Sequence, residues 1–134
     1  MNNNLWANSY WYFFHCFSYN LNERVLTPYN INIINIFIQN LFYKIPCEKC
    51  KMDAINYFEK SNFSKIKTKE EYKIFFFTFH NYVNKKLRKP IANTNILNRY
   101  KNISCLEHLR IIDSIIFKNK LNKKIYKFFS IISK

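Results

Sequence analysis

Apolar positions recur along this chain with the period of a helix. Between residues 5 and 21, Trp11, Phe14, His15 and Ser18 fall at i, i+3, i+4 and i+7 and so share one helical face. Trp6, Tyr10, Tyr12, Phe13, Phe17 and Tyr19 fill the rest of that segment with rings. Ile31, Ile34, Ile38 and Leu41 repeat at the same spacing in a second segment, flanked by Phe37 and Phe42, with Thr27-Pro28 upstream as a start signal. That helix ends before Pro46, because the residue ahead of a proline avoids helical backbone. A third helix is expected from about residue 47 to 60. Thr68-Lys69-Glu70-Glu71 has the T-x-x-E form of a capping box. It opens a long helix through Phe75, Phe76, Phe79, Val83 and Leu87 that stops near Pro90. Residues 96–116 read as one or two short helices. In residues 118–134, Leu121, Ile125, Phe128, Phe129 and Ile132 stand against Lys120, Lys123, Lys124 and Lys127. This basic amphipathic tail is expected to dock as a last helix, in preference to a membrane-surface or partner-binding role.

Composition narrows the fold class. The chain has 134 residues, 49% of them hydrophobic, with 14 Phe and 10 Tyr, enough for one domain with a substantial core. It has no glycine, which argues against dinucleotide and P-loop phosphate cradles and against tight hairpins. An all-α fold is expected. Lys and Arg number 22 against 8 Asp and Glu, a net charge of +14. The lysines are spread along the chain, and abundant Lys, Asn, Ile, Phe and Tyr match the bias of an AT-rich genome, so no nucleic-acid partner is expected. Attraction of an anionic cofactor or an acidic partner is a weaker use of that charge. The start, Met1-Asn2-Asn3-Asn4, lacks the basic and apolar regions of a signal peptide. The apolar run over 31–43 is interrupted by Asn32, Asn35, Gln39 and Asn40, too short and too polar to span a bilayer. A soluble protein without stable membrane insertion is expected.

The candidate chemistry centres on Ile45-Pro46-Cys47-Glu48-Lys49-Cys50. Two sulfurs at this spacing lie about one helical turn apart, close enough for a disulfide or a shared metal. At a helix start, unpaired N–H groups favour thiolate over thiol. Three chemistries compete. A zinc site, stabilising a non-enzymatic module that binds an acidic partner or nucleic acid, needs two more ligands, and Cys16, Cys105, His15, His80 and His108 are scattered. A thioredoxin-like site needs a βαβ setting, and no strand precedes Pro46. A redox dithiol beside an organic cofactor needs aromatic walls and polar donors elsewhere. Those donors appear from Phe79 to Pro90: His80 and Asn84 are four apart on one face, Asn81 is one turn from Asn84, and Lys85, Lys86, Arg88 and Lys89 crowd the end.

Taken together, W-x-x-x-H (Trp11, His15), I-P-C-x-x-C (Pro46, Cys47, Cys50) and H-N-x-V-N-x-x-L-x-K-P (His80 to Pro90) resemble the Erv/ALR family of FAD-linked sulfhydryl oxidases. Order and spacing agree over residues 6–90. The resemblance implies a four-helix, up-down bundle with a short fifth helix, FAD held at one end, and a homodimer. It divides the chain into an oxidase domain, 1–110, and a basic C-terminal helical extension, 111–134. It implies that Cys50 sits against the flavin, that Cys47 exchanges with a dithiol protein substrate or a thiol-redox relay protein, and that O2 is reduced to H2O2. Trp11, His15, Tyr19, His80, Asn81, Asn84, Lys86, Lys89 and Tyr100 would line the FAD, with no metal. Ala7 and Arg88 stand where the family has glycine, and no shuttle pair is present. Cys16 and Cys105 are single, and small buried apolar roles are expected for both. Minimal members of this kind are typical of large DNA viruses, and the composition suits an insect poxvirus. Such a source implies host cytoplasm or virion, with the mitochondrial intermembrane space as the alternative.

Overall fold

A computed structural model describes residues 5–133. Met1 to Asn4, on which the expectation about a signal peptide rests, lie outside the described residues, as does Lys134. The described chain forms α1 (Leu5–Tyr19), α2 (Pro28–Tyr43), α3 (Glu48–Lys60), α4 (Lys69–Lys86), α5 (Cys105–Ile116) and α6 (Lys123–Ile132). Short 3-10 segments occupy Glu23–Val25, Phe63–Lys65 and Thr94–Tyr100. No strand is present among the described residues, and the fold is all-α.

The boundaries follow local chemistry. Thr27 caps α2 through the Asn30 N–H, and Pro28 takes the first helical position, so the helix begins ahead of the apolar repeat. The capping box forms as expected: the Glu71 N–H donates to Thr68 Oγ1 at 3.1 Å, and the Thr68 N–H donates to Glu71 Oε1 at 3.1 Å. Cys47 is itself the N-cap of α3, its Sγ accepting from the Cys50 N–H at 3.2 Å.

α1 is the central helix. Phe13, Phe14, Cys16 and Phe17 are all essentially inaccessible, and the helix packs on both α4 and α5. Phe14 stacks on Phe76 of α4 with centroids 4.6 Å apart. Tyr10 Oη donates to the Leu41 carbonyl at 2.9 Å, fastening α1 to α2. Tyr72 Oη donates to Asn35 Oδ1 at 2.6 Å, fastening α4 to α2. Buried hydroxyls need such partners, so these bonds also fix the relative height of the helices.

The tail belongs to the same core. Phe129 is fully buried, 5.2 Å from Phe13 and from Phe37 and 5.5 Å from Phe17 by ring centroid. Asp113 turns the chain from α5 into α6. Its carboxylate accepts from the Leu121 N–H at 3.0 Å and from Tyr126 Oη at 2.7 Å. The division expected between residues 110 and 111 falls inside α5, where Leu109 and Ile112 both point into the core. The C-terminal segment is the docked last helix that its amphipathic pattern predicts.

With no glycine, the chain places other residues at positive φ: Asn62, Arg88, Asn102, Lys118 and Asn119. Asparagine tolerates this region; a long side chain does so at a cost. Arg88 (φ 57°) follows the α4 C-cap, Leu87, in a Schellman turn. The Lys89 N–H bonds the Asn84 carbonyl at 2.8 Å and the Arg88 N–H bonds the Lys85 carbonyl at 3.1 Å. A glycine, which the resemblance implies at this position, is the residue such a turn favours. Arg88→Gly is expected to stabilise the protein by about 0.5–1 kcal/mol, read as a higher urea midpoint at unchanged slope. Ala7 is different: it lies in regular helical backbone within α1, where glycine has no conformational advantage.

Candidate functional site

Two cavities meet at one helix face. The first, of about 410 Å³, is walled by Trp11, Phe14 and Phe79 and bordered by Cys50, His80, Asn84 and Lys89. The second, of about 330 Å³, lies beside His15, Asn81, Arg99 and Tyr100 and shares His80 and Asn84 with the first. The i, i+4 spacing of His80 and Asn84 puts both on the dividing wall. α1 supplies Trp11 and His15, α4 supplies His80, Asn81 and Asn84, and the N-terminus of α3 supplies the sulfurs.

Cys47 and Cys50 form a disulfide with Cα atoms 5.2 Å apart. Cys50 borders the first cavity and is exposed, while Cys47 is half-buried against the core and is not in its wall.

Trp11 stacks flat on His80, with centroids 3.9 Å apart and planes 4° from parallel. His15 Nε2 and His80 Nδ1 are 2.9 Å apart, one donating to the other. His15 also stacks near Tyr100, at 4.9 Å. His15 Nδ1 is buried and has no hydrogen-bond partner among the described residues. Burial comes first in holding the His15 pKa down to about 3, followed by the charges of His80 and Arg99. Burial and then Lys89 hold His80 down to about 4. Both rings are neutral at pH 7. An unfolded chain titrates its histidines near 6.5, so below that pH the unfolded state takes up protons that the native state refuses. Stability is therefore fully present above about pH 6.5 and falls toward about pH 4. The urea midpoint is expected to drop over this window, and His80→Gln to make the drop shallower.

The remaining predicted residues divide. Asn81 borders the second cavity, yet both ends of its amide hold Ala92: Nδ2 donates to the Ala92 carbonyl at 2.8 Å and Oδ1 accepts from the Ala92 N–H at 3.0 Å. It fastens the loop after Pro90 to α4. Lys86 pairs with Asp53 at 3.3 Å, and Tyr19 donates to Asn98 Oδ1 at 3.3 Å; neither lines either cavity. Two residues were not singled out from the sequence. Ala54, 3% exposed, borders the first cavity one turn after Cys50, and a small residue at i+4 from a redox cysteine was its available signal. Asn20 donates to the carbonyls of Tyr100 and Ile103 and accepts from the Asn102 N–H, holding Tyr100 in place. Nothing in its sequence context marks it.

Among the described residues no three His, Cys, Asp or Glu side chains gather to hold a metal. Among them, too, no helix is long and apolar enough to cross a membrane.

A C-x-x-C disulfide at a helix start, one sulfur bordering an aromatic and amide-lined cavity in an all-helical fold, defines a helical thiol–disulfide protein with room for a flat ligand. The chain belongs to the Erv1 / Alr family, whose model matches residues 8–103. A protein of Invertebrate iridescent virus 3, provisionally named an FAD-linked sulfhydryl oxidase, is 28% identical over 99 residues, 72% of this chain and 66% of that one. The FAD-linked sulfhydryl oxidase of an African swine fever virus isolate from Kenya is 34% identical over 67 residues, 50% of this chain and 53% of that one. That of a Namibian isolate is 28% identical over 98 residues, 73% and 78% of the two chains. The chain thus spans between about half and two thirds of the first two relatives. No solved structure matches it.

Proposed function

We propose that this chain is an FAD-linked thiol oxidase that makes disulfide bonds in dithiol protein substrates, and that it works as a homodimer. The observation that carries this is the position of Cys50: one sulfur of a closed disulfide at the border of a cavity flanked by Trp11, His80 and Asn84. The cavities also suit the cofactor. FAD joins two flat ring systems through a pyrophosphate, and two adjoining spaces with aromatic walls, a shared wall, and Lys89 and Arg99 at their borders match that shape and charge. The unpartnered His15 Nδ1 is a polar atom with hydrogen-bonding capacity to offer there. Trp11, His15, His80, Asn84, Lys89 and Tyr100 would hold the cofactor.

A substrate thiolate attacks Cys47; a substrate–Cys47 bond forms as the Cys47–Cys50 bond breaks, and the electron pair leaves on Cys50. The second substrate thiolate attacks the substrate sulfur of that mixed disulfide and releases Cys47 as thiolate. The N-terminus of α3 favours both leaving groups, since its free N–H groups and dipole stabilise negative sulfur. Bound there by Trp11, His15, His80, Asn84, Lys89 and Tyr100, FAD would supply a two-electron acceptor for the Cys47–Cys50 dithiol, with O2 as the final oxidant and H2O2 as the product. Neutral His15 and His80 place no full charge beside the Trp11 wall.

The protein is expected to purify yellow and to consume dithiol thiols with matching peroxide. His80→Ala and Asn84→Ala are expected to lower flavin retained per chain, read from the visible absorbance after gel filtration. Wild-type protein that is colourless after reconstitution with FAD would refute the assignment.

A further inference from the structure

Away from the cavities, α2 and α6 enclose an open groove of about 530 Å³. Its walls are mainly apolar, with Ile33, Ile36 and Tyr43 from α2 and Leu121 and Ile125 from the opposite side, though Gln39, Asn40 and Asn122 also line it. Ile36 is 59% exposed and Tyr43 49%. Exposed lysines stand next to these walls in the chain. Lys44 adjoins Tyr43, Lys120 adjoins Leu121, and Lys123 and Lys124 lie just before Ile125. Lys44 Nζ sits 5.5 Å from the Phe117 ring centroid, bringing the end of α2 against the turn that leads into α6. No Asp or Glu occurs in residues 24–47 or 114–133. None of these four lysines forms an ion pair among the described residues. Cys47, the sulfur that the proposed exchange opens, follows Lys44 by three residues in the chain.

We propose that this groove docks an acidic segment of the substrate protein, one with an apolar ridge and carboxylates along its flanks. An apolar centre with a charged rim is the anatomy of a protein-binding surface, and an unpaired cationic rim selects an anionic partner and speeds its encounter. The other occupants fit less well. A second copy meeting this groove with the same face would set its lysines against these and bring no carboxylate from residues 24–47 or 114–133. A nucleic acid offers phosphates but no aliphatic ridge for Ile33, Ile36, Leu121 and Ile125. A bilayer would need the apolar face of α6, whose Phe129 and Ile132 are already in the core. The groove thus deepens the oxidase assignment and rests on it for the identity of the partner.

The test uses the full chain and a model peptide that joins an amphipathic helix, Leu on one face and Glu on the other, to a C-x-x-C dithiol. Controls are the same peptide with Lys for every Glu, and dithiothreitol. The wild type is expected to oxidise the acidic peptide with kcat/KM at least about tenfold above the basic one, a gap that closes with added salt. The triple variant Lys44→Glu, Lys120→Glu, Lys124→Glu is expected to lose that preference while its turnover of dithiothreitol stays unchanged. Binding is followed separately by fluorescence anisotropy with Ser-x-x-Ser peptides, which decides the docking even if no oxidation is seen. Equal binding of acidic and basic peptides would overturn the proposal. So would a short DNA duplex that binds through these lysines and excludes the acidic peptide, or a dimer that Ile36→Glu disperses.

Discussion

A Cys50→Ser variant is expected to purify with its flavin and to oxidise no dithiol. The substitution removes one sulfur at the border of the first cavity and leaves Trp11, His80, Asn84 and Lys89 untouched, so cofactor retention and turnover separate. Without Cys50 there is no Cys47–Cys50 bond for the substrate to open and no leaving group to carry its electrons. Loss of an essential nucleophile or leaving group typically removes activity by on the order of 10³-fold or more. Cys47→Ser is expected to fail as completely, with a difference in kind: its remaining thiol borders the cavity, not the core-packed side on which Cys47 lies. The measurements are visible absorbance for flavin content and thiol titration with peroxide detection for turnover. Wild-type turnover in Cys50→Ser would remove the residue from the reaction.

Phe129→Ala is expected to destabilise the fold by about 3–5 kcal/mol, the range for emptying a fully buried phenylalanine site. The ring has no exposed surface and meets Phe13, Phe17 and Phe37 at edge-on or tilted angles. Helical backbone on either side keeps these neighbours from collapsing into the space. Against a total stability of about 5–15 kcal/mol for a native domain, this is a large share. Lys127→Ala, on the exposed side of the same helix, is expected to change stability by less than about 0.5 kcal/mol. Chemical denaturation of the two variants separates a structural α6 from a detachable tail, and equal midpoints would contradict its place in the core.

The sequence carried the elements better than their arrangement. Thr27-Pro28, the Thr68–Glu71 box and the cysteine at the start of α3 are local signals acting within four residues, and each appears where local chemistry puts it. Helical spacing placed Trp11 with His15 on one face and His80 with Asn84 on another; that these two faces and Cys50 belong together was implied only by the family resemblance of the motifs. The paths of Tyr19 and Lys86 were not legible, since each meets a partner far away in the chain: Asn98 for the first, Asp53 for the second. The same holds for Phe129, whose pattern says only that one face of α6 is apolar. That this face meets Phe13 and Phe37 is a property of three helices at once. Arg88 shows a third kind of limit. Its backbone conformation is set by the Schellman turn, and the arginine itself gives no hint of it.

Cys16 and Cys105 lie side-chain deep, at 0% exposure, with no disulfide between them. Burial pushes the Cys16 thiol up to about 12 and Cys105 up to about 11. For a chain with the thiol oxidase activity proposed above, spare sulfurs would be a hazard, and burial keeps both of these protonated and away from solvent. Self-inflicted crosslinking is thus barred as long as the bundle stays folded, and an oxidising burst would register first on chains that have already begun to open.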